Sequence, residues 1–130
     1  MIIDVVRVSE KAKYQLLTLK RRTGIQQWNV LCRWALLVSL AERAIPPHEE
    51  IVTGSNIEMS WKTFAGTLDD AITAVVRQRA REDQVTDDQL PQFFKIHLHR
   101  GIAYLLNGAQ DLRGLVSMAY DTEKVSIERA

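Results

Sequence analysis

The sequence predicts a compact, mainly α-helical domain of about five helices with one or two short strands, assembled as a homo-oligomer. Apolar residues recur every three or four positions through most of the 130 residues, which is the spacing of a buried helix face. A chain of this length builds one hydrophobic core rather than two. One segment is apolar around its whole circumference, and such a helix needs more cover than a small chain supplies. We therefore expect a single domain over residues 1–130, with residues 121–130 as a frayed polar tail.

The composition is that of an ordinary globular protein, with 46% hydrophobic and 25% charged residues. No stretch approaches the roughly 18 apolar residues of a membrane span, and the first residues lack the features of a secretory signal, so we expect a cytoplasmic protein. One cysteine, Cys32, and three scattered histidines make a disulfide framework and a Cys/His metal centre improbable. We expect no metal and no cofactor.

The first elements are a short strand and a helix. Residues 2–8 are rich in Ile and Val and predict a strand. Ser9 is a good N-cap and Gly24 a good C-terminal stop, which together predict a helix over residues 10–22. Ala12, Leu16 and Leu19 share one side of this helix and predict its buried face.

The second predicted helix, residues 26–43, is nearly apolar all round, and Arg33 is the only charged residue between positions 27 and 41. We expect it to lie centrally and to take part in subunit association, with Trp28, Arg33 and Trp34 at the interface. A lone cation in such a helix favours an interface ion pair for Arg33 over a phosphate contact.

The second half of the chain predicts one more strand and three helices. Pro46 and Pro47 end the second helix, and residues 46–56 are expected to form a loop. Residues 57–59 predict a short strand that could pair with the first. Helical spacing predicts a third helix over residues 60–82. Thr86 and Gln89 form a capping-box pattern for a fourth helix over residues 87–106, and a fifth is expected over residues 110–120.

The near-neutral net charge of +1 hides a strong asymmetry. Residues 1–43 contain eight basic and three acidic residues, whereas the remainder contains nine basic and thirteen acidic residues. Five of the cations lie in the first helix, with Glu10 as its only acid: Lys11, Lys13, Lys20, Arg21 and Arg22. Lys13 and Lys20 are two turns apart, about 10.5 Å along the helix axis, and can follow one row of phosphates. The five residues predict a surface for the phosphates of a polyanion, and a solvated helix face with a favourable cationic last turn is the alternative.

No pattern predicts a catalytic residue. Cys32 lies among apolar neighbours and is expected to be a buried hydrophobic residue rather than a nucleophile. His97 and His99 are two positions apart on a helix and point in different directions, so we expect surface or capping roles for them. Acid pairs such as Asp87 and Asp88 lie in the first turn of a predicted helix, which favours a role at the helix dipole over a nuclease site.

Several longer segments resemble DndE, the family that forms the E component of the bacterial DNA phosphorothioation (Dnd) system. The matching segments read LKRRTGI at 19–25, WNVLCRWA at 28–35, SLAE at 39–42, EMSWKTFAG at 58–66 and HLHRGIAYL at 97–105. The resemblance covers roughly residues 5–108.

The resemblance implies a part in replacing a nonbridging phosphate oxygen of DNA with sulfur. In that system a cysteine desulfurase and an iron–sulfur partner mobilise the sulfur. DndE-like proteins are small helical oligomers that bind double-stranded DNA and favour nicked duplex. The implied partners are therefore nicked DNA, the other Dnd modification proteins and further copies of this chain, with a tetramer the best guess, and the implied role is non-catalytic.

Other functions stay open on the sequence alone. A strand followed by two helices also opens ribbon-helix-helix-like transcription regulators, in which strand residues contact base edges. An assembly subunit could instead use the basic helix to dock an acidic protein partner. A nicking or sulfur-transfer catalyst would need a reactive Cys32.

Overall fold

The computed structural model describes residues 1–119 and confirms a mainly helical fold with one two-stranded sheet. Residues 112–119 are also helical, within the predicted fifth helix, while Tyr120 and the predicted tail lie outside the described residues. The principal elements are β1 (Val5–Arg7), α1 (Glu10–Thr23), α2 (Trp28–Ala41), β2 (Glu58–Ser60), α3 (Trp61–Ala65), α4 (Asp69–Glu82) and α5 (Leu90–Gly108).

Helix α1 begins and ends as its sequence predicts. The Ser9 hydroxyl accepts a hydrogen bond from the backbone N–H of Ala12, which satisfies one of the open donors of the first turn. Gly24 has a left-handed backbone with φ 77°, and its N–H donates to the carbonyl of Lys20. Ala12, Leu16 and Leu19 are buried, so the predicted inner face is confirmed.

The two predicted strands pair with each other. β1 and β2 run antiparallel, and Val6 lies opposite Met59. Arg7 and Glu58 also lie opposite each other and form an ion pair of 2.6 Å across the sheet. Both strands span only three residues, and β2 begins one position later than predicted.

The prediction of one continuous helix over residues 60–82 is wrong. Gly66 adopts φ 55° and ends α3, a 3₁₀ turn follows at Gly66–Leu68, and α4 then begins at Asp69. The indole N–H of Trp61 donates to Asp69 Oδ1 at 2.7 Å and ties the start of α4 back to α3. The apolar spacing continues across the break, which is why periodicity alone does not reveal it.

The fourth predicted helix is present with shifted bounds. Residues 87–89 form a 3₁₀ turn, capped by the predicted Thr86–Gln89 capping box, and α5 follows to Gly108. None of the helices within residues 1–119 combines the length and apolar character that crossing a membrane requires.

The core is built around the contact between α2 and α5, the most extensive contact of any two elements in the described part of the chain. Gly101 of α5 lies so close to α2 that a Cβ at this position would fall 1.7 Å from the carbonyl oxygen of Ala35. Phe64, Phe94 and Trp61 pack against one another beside this contact, with ring centroids 5.3–5.5 Å apart. The predicted central place of the second helix is thus confirmed, although α2 is shorter than the predicted 26–43.

We expect Gly101→Ala to lower the free energy of unfolding by about 2 kcal/mol, because the added methyl group forces α2 and α5 apart. Without the clash, the same change inside a helix stabilises by about 0.5–1 kcal/mol. Urea denaturation followed by circular dichroism measures the difference. Gly54→Ala is a control for the lost backbone freedom alone, since Gly54 lies in a loop and a Cβ there meets nothing within 4 Å. A stabilised Gly101→Ala variant would show that the two helices can separate without cost.

Candidate nucleic-acid interface

The cations of α1 lie around its solvent-facing side. Opposite the buried face, Arg21 occupies the middle of the exposed side, seven positions after Tyr14. Lys13 and Lys20 lie along one flank, also seven positions apart. Lys11 and Arg22 lie along the other flank, next to α5. None of these five residues takes part in an ion pair within residues 1–119.

The first flank is ordered by aromatic rings. The Lys20 ammonium lies 5.0 Å from the ring centroid of Trp28, at the first residue of α2. The Lys13 ammonium lies 5.9 Å from the ring of Tyr14. Cation–π contacts of this kind restrain a long side chain while its charge stays accessible.

Arg22 and Lys11 differ from the other cations. Arg22 Nη1 donates to the carbonyl of Leu106 at 2.9 Å, near the end of α5, and the residue is half-buried. Lys11 borders a cleft of about 570 Å³ that Glu49 and Glu50 also line. Arg22 therefore joins α1 to α5, and Lys11, although exposed, borders a cleft that two acids also line. Lys13, Lys20 and Arg21 are then the main candidates for phosphate contacts.

The residues predicted at a subunit interface all have contacts within the chain. Arg33 Nη1 donates to the carbonyl of Phe64 at 2.8 Å, where α3 ends, and the described residues provide no ion pair for it. Within the chain, Arg33 thus caps α3, and the expected ion pair at a subunit interface stays a prediction. Trp28 and Trp34 are half-buried and pack against the core. Whether these residues also contact another copy stays a prediction.

Cys32 is fully buried in α2. Burial raises the pKa of its thiol to about 12, so the group is neutral near pH 7. A neutral, enclosed thiol behaves as a small hydrophobic side chain, as the sequence predicts.

Two arginines hold the C-terminal end of α2. The sequence does not predict this role for Arg79, and for Arg100 it leaves a helix cap and a subunit interface open. Arg79 of α4 is buried, forms an ion pair with Asp83 at 2.9 Å, and donates to the carbonyls of residues 40, 42, 43 and 44. Arg100 of α5 donates to the carbonyl and hydroxyl oxygens of Ser39 and to the carbonyl of residue 44. The position of Arg79 within an apolar helical stripe was the available signal, because a cation there must find buried partners.

His97 belongs to the same buried network. Its Nδ1 lies 2.8 Å from the hydroxyl of Ser39, its ring packs edge-on against Phe93, and its Nε2 has no partner among the described residues. Burial, followed by the positive charges of Arg100 and Arg79, lowers the pKa of His97 from 6.5 to about 3. The expected surface or capping role is wrong for this histidine, which is a neutral core residue.

His99 confirms the expected capping role. Its Nδ1 lies 2.7 Å from the carbonyl of Lys95, so this nitrogen carries the proton. The other nitrogen, Nε2, accepts a hydrogen bond from the backbone N–H of Ser9 at 3.1 Å, where α1 begins. Burial lowers the pKa of His99, and the Lys95 hydrogen bond and Glu49 partly offset this effect. A neutral ring on α5 therefore helps to fix the start of the basic helix.

The histidine, cysteine and acidic residues within residues 1–119 form no group of three or more that could hold a metal ion. The polar groups buried in this part of the chain cap helices or join elements. The fold and its surface define a small helical protein with a basic, outward-facing first helix.

Comparison with models of protein families shows to which family this helical protein belongs. The family model described as "DNA sulphur modification protein DndE" matches residues 5–112, and the chain belongs to this family. The crystal structure of DndE from Escherichia coli B7A, involved in DNA phosphorothioation modification, is similar with a TM-score of 0.66 and 23% sequence identity. The similarity covers 81% of this chain and 98% of that one.

A second similar crystal structure is the DndE G21/24K mutant involved in DNA phosphorothioation. It has a TM-score of 0.62 and 21% identity over 81% of this chain and 98% of that one. At these identities the two structures support the fold. No curated protein matches the chain.

We expect the free energy of unfolding to fall on acidification because of His97. Its pKa is about 3 in the folded state against 6.5 without the fold, so only the unfolded chain takes up this proton between those values. The contribution is complete above pH 6.5 and is lost toward pH 3, by about 1.4 kcal/mol per pH unit. Denaturation at pH 7 and pH 5 measures the decrease.

The matched variant is His97→Asn, which keeps a polar partner for Ser39 and removes the titration. Its loss of stability between pH 7 and pH 5 should be about 2 kcal/mol smaller than that of the wild type. His99 contributes equally to both proteins and cancels. An identical decrease in both would contradict a neutral, buried His97.

Proposed function

We propose that this chain is a non-catalytic DNA-binding subunit of the DNA phosphorothioation machinery. It binds double-stranded DNA as a homo-oligomer, specifically a tetramer, and favours nicked duplex. The backbone contacts come from Lys13, Lys20 and Arg21, with Lys11 and Arg22 at the edges of the same surface. Its partners are DNA, other Dnd modification proteins and further copies of itself, and it acts in the cytoplasm.

The observation that carries this proposal is the excess of positive charge on α1. Five cations stand against one acid, and none of the five is neutralised by an ion pair within the described residues. Unpaired cations release the counterions of DNA when they reach phosphates, which drives binding without base contacts. Membership of the DNA sulphur modification family supports DNA as the polyanion.

The buried groups support a non-catalytic role. Cys32, the residue a sulfur-transfer mechanism would use, is enclosed and has a raised pKa. His97 and Ser39 are close enough to form a nucleophile–base pair, but both are fully buried. Sulfur activation then falls to other components of the system.

The outward side of α2 supports self-association. Val30, Trp34, Leu37 and Ala41 follow one another at intervals of four, three and four residues, and all four are half-buried or exposed. This spacing forms the apolar seam of paired helices. A second copy presents the same stripe, so two α2 helices can cover each other around a two-fold axis.

A ribbon-helix-helix-like regulator is less well supported. β1 pairs with β2 of the same chain, and Arg7, its one cation, is ion-paired with Glu58. The strand therefore presents no unpaired basic side chain to a major groove. An assembly subunit that docks an acidic protein partner remains the second candidate, favoured by the same basic helix.

Reversing three charges on α1 tests the DNA surface. We expect the triple variant Lys13→Glu, Lys20→Glu and Arg21→Glu to bind all duplex sequences more weakly. The plot of log affinity against log salt should flatten by about 0.9 per lost phosphate contact. Fluorescence anisotropy with intact and nicked duplexes at two salt concentrations measures both quantities.

The control variant carries Lys62→Glu, Arg81→Glu and Arg113→Glu, three exposed cations outside α1, and has the same net charge. It should lose much less affinity and keep the wild-type salt slope. Equal losses in the two variants would point to net charge rather than α1. Absence of DNA binding by the wild-type protein at about 50 mM salt would favour the acidic protein partner.

A charge on the outward side of α2 tests self-association. We expect Leu37→Asp to reduce the molecular mass measured by light scattering, because two aspartates would meet in an apolar seam. Val75→Asp on α4 is the matched control, since Val75 is 43% exposed and Leu37 is 42% exposed. A wild-type mass for Leu37→Asp, or an equal loss in both variants, would argue against this face.

A further inference from the structure

Within the basic surface of α1, the chain exposes two large apolar side chains. Tyr14 is 63% exposed and Leu17, one turn later, is 40% exposed. Both lie on the side opposite the buried residues, between Lys13 and Arg21 along the helix. The Lys13 ammonium lies 5.9 Å from the Tyr14 ring, so cation and ring form one continuous surface.

Phosphate contacts from lysine and arginine do not distinguish an intact duplex from a broken one, because both present nearly the same backbone charge. An exposed aromatic ring interacts differently with DNA. It stacks on the face of a base, and bases in an intact duplex already cover each other's faces. A break in one strand lowers the cost of unstacking the step beside it. In other DNA-binding proteins, apolar side chains enter base steps that have been unstacked.

We propose that Tyr14, supported by Leu17, stacks on a nucleobase that becomes unstacked at a break in one strand of duplex DNA. The cations on either side hold the backbone while the ring contacts the exposed base face. Leu17 fills the space beside the ring, as apolar wedges do at kinked base steps. The inference rests on the proposed function, because a duplex must first bind to α1.

The occupant is DNA rather than a second copy because of the surrounding charge. Lys13 and Arg21 border the apolar pair, and the matching surface of another copy carries the same cations. Two such faces brought together would place like charges against each other, which is unfavourable. A nucleic acid supplies both the negative backbone and the flat apolar base.

The test is a cycle of variants in the protein and in the DNA. The proteins are the wild type, Tyr14→Ala and Tyr14→Phe, and the ligands are intact duplex, nicked duplex and nicked duplex with abasic positions flanking the nick. We expect Tyr14→Ala to bind the nicked duplex about tenfold more weakly, the size of one lost stacking contact. Tyr14→Phe should behave as the wild type, since it keeps the ring.

The abasic ligand isolates the contact between ring and base. Removing the bases should weaken the wild type about tenfold and should hardly affect Tyr14→Ala. Affinity for intact duplex should be the same in the wild type and Tyr14→Phe, which keeps the ring beside Lys13. The salt slope should be the same in all three proteins, because the number of cations does not change. Light scattering should give one molecular mass for all three.

Three results would overturn the inference. If base removal weakens the wild type and Tyr14→Ala equally, the ring does not contact the base, and the proposed function stands. If Tyr14→Ala lowers the molecular mass, the ring is a contact between subunits. If no protein binds any duplex at low salt, the proposed function fails and the inference fails with it.

Discussion

The end of α2 inside the protein is the constraint on which the other elements depend. This helix ends without a glycine cap and without a basic residue in its last turn, so its final carbonyls need donors from elsewhere. Arg79 and Arg100 supply them from α4 and α5, and burial, reinforced by these two charges, keeps His97 neutral. Arg100 reaches these carbonyls because α5 lies close against α2, a distance that the missing side chain of Gly101 permits.

Once α5 is fixed, it determines the placement of α1. His99 accepts a hydrogen bond from the backbone N–H of Ser9 at the start of α1. The carbonyl of Leu106 accepts a hydrogen bond from Arg22 near the end of α1. The apolar side of α1 covers the core between these two hydrogen bonds. A helix held at both ends by one neighbour presents its outward cations in a fixed arrangement, so less side-chain and backbone freedom is lost when a phosphate row binds. The buried network of Arg79, Arg100, His97 and Ser39 thereby helps to position the basic surface of α1 without contacting it.

Local sequence patterns predicted the structural features that depend only on residues close together along the chain. Ser9, Gly24 and the Thr86–Gln89 pair act within three or four residues, and their capping roles are confirmed. The split between α3 and α4 was missed because the apolar spacing stays in register across Gly66. The spacing of apolar residues does not reveal the positive φ of this glycine, which ends α3. The role of His97 depends on Ser39, a residue 58 positions away, and no local sequence pattern predicts such a partner. For the candidate DNA surface, the sequence identified the cations, while the structure shows that Arg22 is engaged with α5.

In an oligomer, the contributions of the cations and of the apolar residues on α1 to DNA binding would depend differently on the number of subunits. Each subunit that reaches the duplex adds its own phosphate contacts, so the salt dependence of binding increases with the number of subunits engaged. A single break offers only the few bases beside it, so the number of Tyr14 rings that can stack there does not increase with the number of subunits. Preference for a broken strand would then be nearly independent of subunit number, whereas affinity for any duplex would increase with it. The proposed self-association through α2 and the proposed discrimination through Tyr14 would therefore be separable, since they depend on different helices and different physical forces.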